Sequence, residues 1–292
     1  MATPSAKNGK DAAWFSKIGT AVKETVQGKE PTPPAFELLG TVPFDPFHSR
    51  GFDAAELLEE GGSPGLALLH ITPAPEGDKK EQQLVVERNP AKGSYWLQDA
   101  SEKKMLYAKV STDGLKFDIH VGGDESDSPS FVLLATNSSK RDWDLHSLRC
   151  EECQVRGRRR CGKRALFRLS HYVESVGEGQ AFCMDVDLPC PAEDGRRQVL
   201  CDSCGETTDA WSLELTARRP KWNAKHRSLT LDFHGRCSLA SAKNFQLEDA
   251  NKPGRHLFLF GKIGENKFTL DYMHPLGAVQ AFAIALTASH WK

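Results

Sequence analysis

Residues 275–289 read PLGAVQAFAIALTAS, and between Leu276 and Leu286 only Gln280 is strongly polar. A helix with no polar face has to be enclosed. From about residue 66 onward the chain carries material for an enclosure. Trp211, Leu213 and Leu215 alternate with polar residues, as do Leu229, Leu231 and Phe233, and Phe268, Leu270 and Tyr272. Phe117, Ile119 and Val121 repeat the pattern, and so do Phe182, Met184, Val186 and Leu188. A period of two gives strands with one buried and one wet face, which is antiparallel sheet. Two runs, 66–71 and 256–263, are more continuously apolar. Strands do not alternate with helices, which excludes a parallel nucleotide-binding sheet. A sheet closed into a barrel surrounds a helix and leaves no strand edge exposed. The expected fold is therefore mainly β: a closed antiparallel β-barrel around a central hydrophobic C-terminal α-helix. A helix buried in a sandwich core, or one that binds a partner, fits the periodicity as well.

The 292 residues are 39% hydrophobic, enough for a core, and carry a formal net charge of −1. Bulk charge thus favours neither nucleic acid nor an anionic membrane, and any preference has to come from local patches. The opening MATPSAKNGKDAAWF has no apolar signal core, and the longest apolar run falls short of the roughly 20 residues that span a bilayer. An intracellular protein without a transmembrane segment is expected. In that setting the eight cysteines are thiols or metal ligands rather than disulfides. Asn137-Ser138-Ser139 then matches a glycosylation sequon by chance.

PTPP at 31–34 divides an N-terminal segment, 1–34, from a domain over 35–292. Within the segment, Trp14, Ile18, Val22 and Val26 fall at steps of four, one narrow apolar stripe with Asp11 placed as a cap. A short amphipathic helix docking on its own domain is favoured over an interfacial membrane helix.

Three motifs in the last third add a resemblance. LDFHGRCSLASAKNFQL (231–247) closely resembles the first signature of the tubby-like family, with its FHGR, AS and KNFQ elements in place. ELTARRPKWN (214–223) resembles the family segment ending in Pro-x-Trp-Asn, and KFTLDYMHPLGAVQAFAIAL (267–286) resembles the family's last strand and terminal helix. YAKVSTDGLKFDIH (107–120) is similar to a family strand pair. The resemblance implies a twelve-strand barrel around the terminal helix. It also implies binding of phosphoinositide headgroups, notably phosphatidylinositol 4,5-bisphosphate, by an adaptor that attaches reversibly to the cytoplasmic face of the plasma membrane and engages protein cargo. A transcription-linked, nuclear role is the alternative.

In the family a Lys/Arg-rich stretch before a strand supplies the headgroup clamp. The matching stretch here, VVERNPAKGSYWL (85–97), keeps only Arg88 and Lys92, with Glu87 opposing them. A further family arginine falls on Ser111, where Lys109 and Lys116 are the nearby substitutes. A second cationic stretch lies in a Cys/Arg-rich insertion around 146–205. There Arg149, Arg156, Arg158, Arg159, Arg160, Lys163, Arg164 and Arg168 face only Glu151 and Glu152. So dense a run points to an anionic partner, a leaflet or nucleic acid. The membrane reading is preferred and nucleic acid ranks second.

The same insertion holds CEEC (Cys150, Cys153) and CDSCG (Cys201, Cys204). Two such pairs suit a closed structural zinc site, and reduced thiols are the competing reading. His234, Arg236, Lys243 and Asn244 of the signature motifs read as structural, satisfying turns and strand ends around Gly235. No nucleophile elbow, phosphate-binding Gly-rich loop or His-Glu-x-x-His pair occurs, so an enzyme is not expected.

Overall fold

The computed structural model describes residues 81–125, 128–148, 164–189 and 211–290. Within them the chain forms β1 (Gln82–Asn89), β2 (Ser94–Gln98), β3 (Lys104–Val110), β4 (Lys116–Val121), β5 (Phe131–Ala135), β6 (Asp142–Ser147) and β7 (Arg164–Val176). There follow β8 (Gly179–Pro189), β9 (Trp211–Ala217), β10 (Lys221–Asn223), β11 (Ser228–Thr230), β12 (Phe245–Asp249), β13 (His256–Gly264), β14 (Lys267–Tyr272) and the helix α1 (Ala278–His290). Twelve strands close into a barrel in the order β1-β14-β13-β12-β9-β8-β7-β6-β5-β4-β3-β2. Every pairing is antiparallel, and β1 seals the ring by pairing with β14 from Gln82↔Tyr272 to Glu87↔Lys267.

The helix is the core of this barrel. Val279, Ala281, Phe282, Ala283, Ile284 and Leu286 have no solvent exposure. Their partners are the inward residues of the period-two strands, such as Leu97, Leu106, Phe117, Ile119, Leu145, Phe167 and Leu270. Alanines at 278, 281, 283, 285 and 288 keep the helix thin enough to be ringed by strands. Gln280, its one strongly polar side chain, is also fully buried. Its Nε2 donates to the Leu166 carbonyl at 2.8 Å and its Oε1 accepts from the Gly277 N–H at 3.0 Å. Leu166 is the residue skipped where the β6–β7 register shifts, between Ala165↔His146 and Phe167↔Leu145. The helix therefore satisfies a carbonyl that the ladder leaves out, which a buried polar group demands.

The structure departs from the expected strand over 228–233. Strand β11 ends at Thr230, and residues 231–244 form a strap across the outer face of β13 and β14. His234 and Gly235 have φ of 52° and 78°, a left-handed pair that no strand contains. The strap explains why 256–263 is apolar on both faces. Leu259 is 1% exposed although it points away from the helix, and a Cβ on Gly261 would lie 3.1 Å from the Cys237 Cβ.

Residues 164–189, within the span read as an insertion, build the central barrel hairpin β7–β8. Arg168 pairs with Asp144 on β6 and Asp187 on β8 as an ordinary ladder residue. The ribbon β10–β11 seats Trp222 over this hairpin's turn, where Gly177 has φ of 60° and no Cβ to clash with the indole. The N-terminal helix and the apolar run 66–71 lie outside the described residues.

Candidate functional site

The barrel has two ends. At one, α1 begins. At the other lie the turns β1–β2, β3–β4, β5–β6 and β13–β14 together with the C-terminal end of α1. This second end holds a cavity of about 520 Å³. Tyr95, Val110 and Ser289 line it from the barrel interior. Arg88, Pro90 and Gly93 line it from the first turn, and Ser138, Ser139 and Lys140 from the β5–β6 loop. Two of these residues are cations and none is a carboxylate.

Alternation along β1 puts Arg88 there. Leu84 and Val86 point into the core, and two residues later the same phase aims Arg88 inward at the rim. Asn266 of the β13–β14 turn holds it. Arg88 Nε and Nη2 donate to Asn266 Oδ1 at 3.1 and 2.9 Å, and the Arg88 N–H donates to the Asn266 carbonyl at 2.9 Å. Asn266 has φ of 58°, a conformation asparagine tolerates better than most residues. Gly93, at φ of 60°, lets the first turn close on Val110, whose Cγ1 would lie 2.9 Å from any Cβ there.

Lys140 reaches the cavity from across the mouth. Asn137 organises its loop: Oδ1 accepts from Ser139 Oγ at 2.6 Å and from the Arg141 N–H at 3.3 Å. Lys140 itself has φ of 57°, and its Nζ donates to the Asp113 carbonyl at 3.0 Å, which ties the β3–β4 and β5–β6 turns together. At the floor, burial pushes the Tyr95 phenol above its ordinary range, against opposing contacts from Ser289 and Arg88.

Of the four cations picked out by resemblance, the structure brings one into this cavity. Lys92 sits exposed in the β1–β2 turn, its N–H donating to Asn89 Oδ1 at 3.2 Å, and does not line the space. Lys109 and Lys116 belong to the outer phase of β3 and β4, opposite in register to Ala108 and Phe117. Lys116 is paired with Asp118 at 2.8 Å on that outer wall, and Lys109 stands across from the same aspartate. Lys140 was missed because a single lysine in a polar turn carries no sequence signal; closure of the barrel alone sets it opposite Arg88. Arg156, Arg158, Arg159, Arg160 and Lys163 lie outside the described residues. So do Cys150, Cys153, Cys201 and Cys204, and the side chain of Arg164. Among the described residues no group of three or more His, Cys, Asp and Glu is set to hold a metal ion.

The signature residues serve the strap. Arg236 forks onto Asp271, with Nε to Oδ2 at 2.7 Å and Nη2 to Oδ1 at 2.6 Å, and Nη2 also meets Thr269 Oγ1 at 2.6 Å. Asp271 is fully buried, and its bond to the guanidinium raises the Arg236 pKa and keeps that group charged. Asn244 accepts from the Lys262 N–H at 2.8 Å and donates to the Leu239 carbonyl at 2.8 Å. Gln246 donates to the Asp232 carbonyl at 2.7 Å. Lys243 reaches under the strap to the helix, its Nζ 2.8 Å from the Ser289 carbonyl.

The described residues thus form a closed barrel with a helix at its core and two cations at one mouth. Residues 162–290 match the family model described as the Tub family. Over less than half of its length, the chain is similar to the tubby-like family. It is 47% identical over 78 residues to Tubby protein homolog 1 of Caenorhabditis briggsae, covering 27% of this chain and 18% of that protein. It is 39% identical over 118 residues to Protein king tubby 2 of Aedes aegypti, covering 37% of this chain and 29% of that one. The chain thus spans less than a third of the length of these curated relatives. A solved structure of an Arabidopsis thaliana protein is similar at a TM-score of 0.37 and 10% identity, covering 75% of this chain and 93% of that chain. Apart from Ser289, the cavity residues lie before the family-matched stretch.

Proposed function

We propose that this protein binds phosphoinositide headgroups in the barrel mouth and so attaches reversibly, as a peripheral adaptor, to the anionic cytoplasmic surface of a membrane. One observation carries the reading: Arg88 and Lys140 line a cavity that has no carboxylate in its wall. Phosphate oxygens need charged donors of this kind, and arginine offers them as a planar fork. The loop hydroxyls of Ser138 and Ser139 suit the hydroxyls and oxygens of an inositol ring. The similarity of residues 162–290 to the tubby-like family supports the same reading. No helix among the described residues is long and apolar enough to cross a bilayer, so attachment through this mouth would be peripheral where those residues are concerned.

Sedimentation with phosphoinositide-doped phosphatidylcholine vesicles tests the reading. Binding is expected at low salt and should weaken as salt screens the contact. Arg88→Ala and Lys140→Ala should each weaken it about tenfold, the worth of one charge-assisted contact. Absence of binding to every phosphoinositide at low salt overturns the reading.

A further inference from the structure

We infer that the mouth is built for a single phosphate group, so that the site takes a monophosphorylated inositol headgroup at least as well as a bisphosphorylated one. The inference rests on the headgroup reading and concerns the selectivity of the same cavity.

Donor arithmetic carries it. A guanidinium has five N–H donors arranged along two usable edges. On Arg88 the edge formed by Nε and Nη2 is occupied by Asn266 Oδ1, at 3.1 and 2.9 Å. What remains is at most one edge, Nη1 with the second Nη2 hydrogen, and Arg88 also makes a side-chain contact with the Tyr95 phenol at the cavity floor, so the guanidinium has donors for no more than one phosphate. Lys140 has one of its three donors on the Asp113 carbonyl. It is a point charge on the opposite wall that can complete the same phosphate or meet its neighbouring hydroxyl.

Charge gives the same count. A phosphate monoester carries roughly −1.5 to −2 at neutral pH, and the two lining cations offset it. A second phosphate brings about as much again with no further lining cation. Lys109 and Lys116 stand on the outer wall, Lys116 already paired with Asp118, so neither turns into the mouth. The helix adds to the limit. Its C-terminal end lies at the cavity floor through Ser289, and a helix C-terminus bears partial negative charge. Lys243 on the Ser289 carbonyl offsets part of that field but lies under the strap and does not line the cavity.

Asn266 is therefore the positioning residue that sets selectivity, and it gives the test. Full-length protein is sedimented with phosphatidylcholine vesicles carrying one phosphoinositide at a time, matched in total phosphate charge. Soluble inositol monophosphate and bisphosphate are the competitors, which separates headgroup capture from surface charge. The expected result is that bisphosphate vesicles bind no better than monophosphate ones and that soluble monophosphate competes. Asn266→Gly keeps the left-handed turn and frees the second guanidinium edge; it should shift preference toward the bisphosphate about tenfold, one charge-assisted contact. Asn266→Asp places a carboxylate on Arg88 and should weaken all phosphoinositides, with circular dichroism showing the barrel retained. Tenfold preference of the wild type for bisphosphates, or an unchanged preference in Asn266→Gly, overturns the inference and leaves the headgroup reading standing. No binding to any phosphoinositide overturns the headgroup reading itself.

Discussion

Lys243 donates to the carbonyl of Ser289 at 2.8 Å, closing the C-terminal end of the helix that fills the barrel. The strap outside the barrel thereby holds the helix inside it. One lysine of the KNFQ motif offsets the negative end of the helix dipole and satisfies a carbonyl that has no partner within the helix.

Lys243→Met should keep the packing of the stem and lose the bond. A stability loss of about 1–2 kcal/mol is expected in urea unfolding at neutral pH. Because Ser289 also lines the mouth, vesicle binding should weaken in the same variant. Unchanged stability would show that the contact contributes nothing in solution.

Phe282 is fully enclosed by strands. Phe282→Ala should cost about 3–5 kcal/mol, since a ring of strands hydrogen-bonded to one another has little freedom to collapse onto the cavity. Phe282→Leu should cost much less. Equal midpoints for wild type and Phe282→Ala in chemical denaturation would contradict a helix at the core.

The fork between Arg236 and Asp271 joins a partly exposed guanidinium to a carboxylate with no exposure. Arg236→Ala strands a buried charge and should cost about 3–5 kcal/mol. Arg236→Lys should recover little of it, because an ammonium cannot span both carboxylate oxygens and Thr269 with one plane of donors. The double substitution Arg236→Met with Asp271→Leu should restore most of the loss, which a thermal melt of the three proteins would show.

His171, 3% exposed, is pushed down to about 3 by burial, with the Asp142 charge opposing that shift. The folded protein keeps it neutral, while the unfolded chain protonates it near the ordinary 6.5. Between those limits the unfolded state binds the extra proton, so stability is complete above about pH 6.5 and falls as the pH drops. The loss should approach about 1.4 kcal/mol per pH unit from this group. Urea midpoints of wild type and His171→Gln, measured at neutral and mildly acidic pH, check it: the variant should show the shallower slope.

Much of the architecture is legible in the chain itself. A segment apolar on every side must be surrounded, and strands that alternate strictly can surround it; that physical demand gives helix and strands, while closure into a barrel rather than a sandwich rests on the resemblance of the last third to a known family. The same local logic places Phe117, Leu215 and Leu270 inward before any contact is known. Other features are pairwise and distant, and only the folded chain decides them. Leu231 and Phe233 alternate like a strand, yet Arg236 finds Asp271 and Thr269 beyond them and draws 231–244 across the outside as a strap. The candidate site divides the same way. Arg88 lies in the clamp stretch, but Lys109 and Lys116 are one residue out of phase with the interior, and a period of two sends them to the outer wall. Lys140 carries no local signal at all. Barrel closure sets its turn opposite the β1 rim, and Asn266, 178 residues from Arg88, occupies one guanidinium edge. Periodicity is written in neighbours along the chain; the geometry of a binding mouth is written in neighbours across space, and the ring had to close before those existed.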